Sequence, residues 1–359
     1  MLPVDIAEQI LFANVFGGGA GIKSFFGDGS DGALNSAGNV NLDSTLDGAL
    51  VVKQYTSFLL NAGHTLTVTN RCAGLVIYVQ GDCTINGALH MDQRGGKSDQ
   101  VPFAAWRLGD EAAFLRWLPA NRFPPVGGAG GAGGAGGNVS GAGGAGGPGR
   151  LYGGGFGGGG GGGGANVSGT SVPGGAGGPV SSGELASYQS SRPNNRGTVV
   201  TLYPYEGHKG GPGAGGSACL AAVGTTDIKT GFGGAGPGGG GGGHNNTLTD
   251  NCSGSGGQYP GGLIVLAVQG NLTIGAAGVL RVQGGAGGDG GSSGGGGGNG
   301  GGGGGSGGGI ILLFHKGTYA NSGAVSAPGG SGGNPGSTGG WGGSAGTSGS
   351  AGTVEVVAL

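Results

Sequence analysis

Five histidines (His64, His90, His208, His244, His315) and four cysteines (Cys72, Cys83, Cys219, Cys252) are the residues with which this chain would bind a metal or build a nucleophile. A protein zinc site draws on Cys and His ligands set at short, regular spacings. No Cys-x-x-Cys occurs, and the histidines show no metal-ligand spacing. Four cysteines allow three pairings. Cys72 and Cys83 flank one strand-turn segment and could approach each other, but a reducing cytosol favours buried free thiols. The string RGGKSD (94–99) resembles the end of a phosphate-binding loop, yet the glycine needed five positions before Gly96 is Met91. G-x-S-x-G occurs around Ser306, Ser331 and Ser344, as chance dictates in glycine-rich sequence, and none sits where a strand turns into a helix. GDGSDG (27–32) offers Asp28 and Asp31 without the full calcium-loop pattern and reads as a turn. The carboxylates are scattered, so no acid/base pair can be argued. The expectation is a protein that is not an enzyme, with no metal and no cofactor.

Chemistry gives way to architecture. Of 359 residues, 107 are Gly, against a usual share of about 7%. The formal net charge of −2 steers the chain neither to nucleic acid nor to an anionic membrane. No run of about 20 apolar residues is present, so no membrane-inserted helix is expected. The start, MLPVDIAEQILFANVFGGG, lacks the basic head and long apolar stretch of a secretory signal. The product is expected to be cytosolic, or assembled in the cytosol and released by lysis.

The glycines keep a period of three. The tracts fall at 127–164, 174–178, 207–216, 231–243, 284–309 and 328–346, and residues 127–147 read GGAGGAGGAGGNVSGAGGAGG. A flexible linker has no reason to keep such a period. Three residues per turn, with no internal hydrogen bonds, is polyproline II geometry. The exposed peptide groups must then be satisfied by water or by neighbours. Two glycines in three permit close contact with several neighbours at once, so a bundle of laterally bonded polyglycine II helices is expected. Ala129, Ala132, Ala135 and Asn138 would point outward.

The tracts alternate with apolar segments that align as a repeat: 74–96, 262–288 and 309–333. Their runs LVIYV, LIVLAV and IILLF are continuous, as in strands buried on both faces. HTLTVTN (64–70) and GTVEVVAL (352–359) read as further strands, for a core of about five strands. The fold class expected is mainly β and irregular: polyglycine II helices interleaved with short strands in a β-sandwich or β-solenoid-like repeat. A small local helix is expected within 101–125, where Phe103, Trp106, Phe114 and Trp117 cluster. Three regions follow: 1–60 for attachment or assembly, with a short amphipathic stretch near Val4–Val15; 61–126, the first repeat with its aromatic insertion; and 127–359, the glycine-rich bundle with exposed loops.

Loops on a rigid frame are where binding functions sit. Aromatic residues among Gly, Pro and polar neighbours are the contact candidates. They are Tyr188, Tyr203, Tyr205, His208, Phe232, His244, Tyr259 and Trp341.

The GGA/GGX tracts interleaved with short apolar strands resemble the glycine-rich adhesins at the tips of bacteriophage long tail fibres, whose domains are built from polyglycine II helices. The segment GLVIYVQGDCTINGALHM is similar to glycine-rich phage structural proteins. The resemblance covers roughly 127–346 and is architectural. It implies a virion protein whose tip loops bind a bacterial surface receptor, protein or glycan, while the amino-terminal part joins other fibre or tail proteins, with one chain or a homotrimer at each site. The competing expectations are a structural fibre or decoration protein without receptor specificity, and an ice-binding or cell-surface adhesin.

Overall fold

The computed structural model describes residues 26–46, 48–95, 130–133, 258–292, 299–337 and 343–359, together with the backbone of four very short strands between 166 and 230. Among the described residues, nineteen strands follow in chain order. They begin with β1 (Ala33–Asn35), β2 (Val40–Leu42), β3 (Val51–Tyr55), β4 (Ser57–Leu60), β5 (Thr65–Val68), β6 (Leu75–Val79), β7 (Cys83–Ile85) and β8 (Ala88–His90). Two small antiparallel pairs come next, β9 (Asn166–Val167) with β10 (Thr170–Ser171), and β11 (Cys219–Ala221) with β12 (Ile228–Thr230). The chain closes with β13 (Leu263–Val268), β14 (Leu272–Ile274), β15 (Val279–Arg281), β16 (Ile310–His315), β17 (Tyr319–Asn321), β18 (Ala324–Ser326) and β19 (Thr353–Ala358). The described residues contain no helix. The helix expected within 101–125 lies outside them.

Apart from the two small pairs, the strands form three parallel sheets of five, ordered β1-β4-β7-β14-β17, β18-β15-β8-β5-β2 and β19-β16-β13-β6-β3. Consecutive strands enter different sheets: β3, β4 and β5 form one turn, and β6, β7 and β8 stack on it strand for strand. The turns β13–β15 and β16–β18 continue the stack, and β19 starts another. This is a three-sided parallel coil. The described strands do not form two facing layers, the sandwich alternative. The three aligned sequence repeats are successive turns of the coil. Strands from 33–60 share all three sheets with those from 65–90, and the boundary after residue 60 falls between β4 and β5 of a single turn.

The side-chain pattern explains the winding. In the short strands CTI and LTI the end residues point inward and the threonine outward; in ALH and VLR only the central leucine is buried. Ladder register then stacks like on like: Ile85 on Ile274, and Leu89 on Leu280, all with no exposed surface. Each such side chain contributes about 1.5–3 kcal/mol by burial. The apolar runs of β6, β13 and β16 are buried on both faces, as their continuous hydrophobicity predicts. Leu75, Ile77, Ile264, Leu266, Ile311 and Leu313 fill the coil interior, while Val76, Val265 and Leu312 belong to a second cluster on the opposite face. Corners close tightly. Gly317 donates to Gly270 O (3.1 Å) and Gly270 to Gly81 O (3.0 Å). A Cβ on Gly270 would lie 2.6 Å from that oxygen of Gly81, so stacking of turns there excludes a side chain.

The long connections all leave from one corner. Residues 91–262 run from β8 to β13, 282–309 from β15 to β16, and 327–352 from β18 to β19. In the glycine-rich ones, backbone bonds recur every third residue. Gly284, Gly287 and Gly290 donate to Pro328, Ser331 and Asn334; Gly303, Ser306 and Gly309 donate to Gly288, Gly285 and Val282; Gly302, Gly305 and Gly308 donate to Ser344, Thr347 and Ser350. Gly330, Gly333 and Gly336 in turn donate to Ser306, Gly303 and Gly300, and Gly131 donates to Gly305. Segment 300–309 is therefore bonded to 282–291, 327–336, 344–350 and residue 131. A strand in a sheet bonds on two sides only. Residues 299–309 are buried throughout. A Cβ on Gly302 or Gly308 would collide with the carbonyl oxygen of Gly333 or Ala327, which is why the tract carries no side chains there.

Candidate functional site

The glycine-rich connections have a root at the coil and an outer end. At the root, residues 91–94 make a tight turn in which Gln93 takes a left-handed conformation (φ 54°), an uncommon one for a residue with a Cβ. Asp92 holds it. Its carboxylate accepts from Arg281 Nε (2.8 Å) and Nη2 (2.6 Å) and from the Gln283 backbone N–H (2.7 Å), tying the exits of two turns together. His90 Nδ1 lies 3.5 Å from Asp92 Oδ2 and has no hydrogen-bond partner. Burial holds the His90 pKa below its usual value, although Asp92 pulls the other way. The Asp92 hydrogen bond holds Arg281 above the usual arginine range. This cluster is a clasp between turns. The ladder sets His90 opposite Arg281, and charge alone gives no reason in the sequence to pair them with Asp92.

Tyr259 is the one sequence-derived contact candidate among the described residues. It sits at the root. Its ring is half-buried beneath the Arg71 guanidinium, 3.9 Å from the ring centroid, and its carbonyl accepts from Gly285 N (2.8 Å). Neighbouring Gln258 accepts from Ser306 Oγ (2.7 Å), a residue with no exposed surface. Tyr259 thus helps bind the excursion 282–309 to the segment that re-enters the coil. Tyr188, Tyr203, Tyr205, His208, Phe232, His244 and Trp341 lie outside the described residues, as does the aromatic group Phe103, Trp106, Phe114 and Trp117.

The outer ends are defined by their last described bonds. Gly300 donates to Gly291 O (2.9 Å). Ser337 N donates to Ser292 Oγ (2.9 Å) and Asn334 N to Asp289 Oδ1 (2.7 Å), so the second excursion is fastened to the first near its outer end. Two exposed rows line the second excursion: Ser331, Asn334 and Ser337 going out, and Ser344, Thr347 and Ser350 coming back.

Other candidate chemistry resolves into structure. Asp31 bonds Lys53 Nζ (2.9 Å) and the Gln54 N–H (2.6 Å), and Asp28 Oδ1 accepts from Ser30 N (2.9 Å), so GDGSDG is a turn anchored to β3. Burial alone would raise the Asp31 pKa, but the bonds from Lys53 and Gln54 outweigh it and hold the carboxyl below its ordinary value. Cys72 and Cys83 are free and buried rather than joined, and burial pushes both thiols up. Cys219 lies in β11, and Cys252 lies outside the described residues. Among the described residues no group of three or more His, Cys, Asp or Glu is placed to hold a metal, and no helix is long and apolar enough to cross a membrane. An open groove of about 620 Å³ runs beside β3, lined by Asp43, Ser44, Lys53, Thr69 and Asn70 among others. It gathers no constellation of acid, base and nucleophile. No family profile, curated protein or solved structure matches the chain.

Proposed function

We propose that the chain is a virion fibre-tip adhesin, in which a parallel β coil anchors a bundle of polyglycine II helices whose outer loops bind a bacterial surface receptor, a protein or a glycan. The observation that carries this reading is the three-residue period of the backbone bonds radiating from 300–309 to segments on several sides. A threefold helix presents peptide groups in three directions and is served by such a lattice. At about 3.1 Å per residue, the segments from Gly284 to Gly291 and from Pro328 to Ser337 carry their outer loops roughly 20–30 Å from the coil. Loops so held vary in sequence without disturbing the frame.

Adsorption to host cells tests the proposal. Deletion of 184–206, or Trp341→Ala, lowers adsorption while the coil keeps its unfolding transition. Unchanged adsorption in both variants favours the purely structural alternative, a fibre or decoration protein. Among the described residues, the exposed row Ser344, Thr347 and Ser350, recurring every third residue, favours an ice-binding role; thermal hysteresis in dilute solution would support it.

A further inference from the structure

The large sheet β19-β16-β13-β6-β3 ends on two long edge strands that are finished differently. An unpaired edge is a template for another strand. At β3, Val51 N donates to Gly74 O on the β6 side (2.8 Å), so alternation turns the backbone groups of Val52 and Gln54 outward. Asp31 closes the Gln54 half of this edge. Its N–H donates to Gln54 O (2.8 Å), and its carboxylate accepts from Gln54 N (2.6 Å) and Lys53 Nζ (2.9 Å). Gly32 O accepts from Thr56 N (2.7 Å) just beyond.

The edge at β19 has no such closure among the described residues. Thr353 N and Leu359 N donate to Gly309 O (3.1 Å) and His315 O (2.9 Å) on the β16 side. The backbone groups of Val354, Val356 and Ala358 therefore point away from the sheet, and none of the described residues bonds to them there. The side chains differ in the same way. Val354 continues the inward column of Leu75, Ile264 and Ile311, which have no exposed surface, yet it is 37% exposed. The next inward column, Ile77, Leu266 and Leu313, runs from Lys53 at the closed edge to Val356 at the open one. A stacked coil that ends in water needs a polar last layer; the Asp31–Lys53 pair supplies one, and a row of valines does not.

A second copy fits this edge in one orientation. Parallel addition of β19 to β3 of the next copy is blocked, because Asp31 and Gly32 already hold that edge. Antiparallel pairing of β19 with itself about a two-fold axis is open, and such an interface uses one patch twice. Centred on Val356, it sets Val356 against its own counterpart and Val354 against Ala358 of the second copy, all on the inward face. On the outer face Glu355 meets Val357, so two like charges do not stand directly opposite. The contact stays within the large sheet, since β17 and β18 belong to the turn before β19. We propose that two copies of the chain join end to end through β19, as antiparallel edge strands that continue one sheet through both.

A Val356→Cys variant of the full chain tests the register. Hydrogen-bonded antiparallel partners have Cα atoms about 5.5 Å apart, within reach of a disulfide. Mild oxidation of dilute protein yields a linked dimer, with the parent and its four native cysteines as the blank. Glu355→Cys, whose counterpart stands diagonally, yields several-fold less. Sedimentation tests the interface. The parent runs as a dimer, and Val354→Pro halves the mass while the coil keeps its unfolding transition, because the N–H it removes makes no bond to β16. A parent that is monomeric at every soluble concentration, a trimer or larger assembly, a dimer that survives Val354→Pro, or no linked dimer from Val356→Cys overturns the proposal. So does a monomeric parent whose β19 pairs with a different protein. If Val354→Pro does not fold, the disulfide decides.

Discussion

Gly305→Ala probes the interior of the lattice. Gly305 donates to Thr347 O (2.9 Å) and accepts from Gly131 N (2.8 Å). A methyl group there would place its carbon 2.6 Å from both Gly330 C and Ser331 O. Backbone atoms cannot be rotated away, so 300–309 and 327–336 must separate locally by about 0.5–1 Å, which takes N···O distances beyond the usual limit of about 3.2 Å. The bonds Gly330 N to Ser306 O and Gly333 N to Gly303 O, both 2.8 Å, lie on either side of the insertion. Losing a hydrogen bond costs about 1 kcal/mol net, and up to about 3 when a buried partner is left unpaired. Ala returns about 0.4–1 kcal/mol by restricting the unfolded chain. The net expectation is a loss of roughly 1–5 kcal/mol. Gly38→Ala is the control, because a Cβ there meets nothing within 4 Å; it is neutral or slightly stabilising. Urea unfolding followed by circular dichroism reads both variants. A Gly305→Ala protein within about 0.5 kcal/mol of the parent would refute the lattice geometry, since that is the scatter of surface substitutions.

The clasp at the root gives two more tests. Asp92→Ala leaves the Gln283 N–H without its acceptor and is expected to cost about 1–2 kcal/mol in urea unfolding. Arg281→Ala costs less than about 1 kcal/mol, because the Arg281 side chain is 43% exposed and its pair is screened. His90 makes stability depend on pH. Its folded pKa lies below 6.5, chiefly because burial disfavours the charged ring. The unfolded chain therefore takes up the proton first as pH falls, and stability drops from about pH 6.5 down through the folded value. Melting temperatures between pH 7.5 and 5 show this slope, and His90→Gln removes its share. Cys72 and Cys83, buried with raised pKa values, resist alkylation at neutral pH until the protein unfolds; labelling at the rate of a free thiol would contradict their placement.

Much of the coil was legible in the sequence. LVIYV, LIVLAV and IILLF declared themselves as strands buried on both faces, and the aligned segments proved to be consecutive turns because a parallel coil repeats its inward positions in register. HTLTVTN and TVEVVA were also read as strands. The turn β3–β5 was missed as a repeat because VVKQYTSFLL mixes Lys53 and Gln54 into an edge strand that needs only one buried face. β1 and β2 are not among the expected strands because three residues each, ALN and VNL, carry too little periodicity to register. The core was therefore underestimated at about five strands. Function was harder to read. Tyr259 was chosen for its polar, glycine-rich surroundings, and nothing in those neighbours foretold that Arg71, distant in sequence, would cover its ring. The clasp of Asp92 with Arg281 was invisible for the same reason: its partners are separated by the whole excursion 91–262, and only the stacking of β8 on β15 brings them together.

Residue-resolved amide hydrogen exchange across 300–309 in the intact protein tests the central claim most directly. The account predicts that the donors Gly302, Gly303, Gly305, Ser306, Gly308 and Gly309 exchange about 1,000-fold or more slower than an unstructured glycine chain, as slowly as the amides of β13 and β16. Exchange at the unstructured rate through this tract, with β13 and β16 still protected, would contradict it.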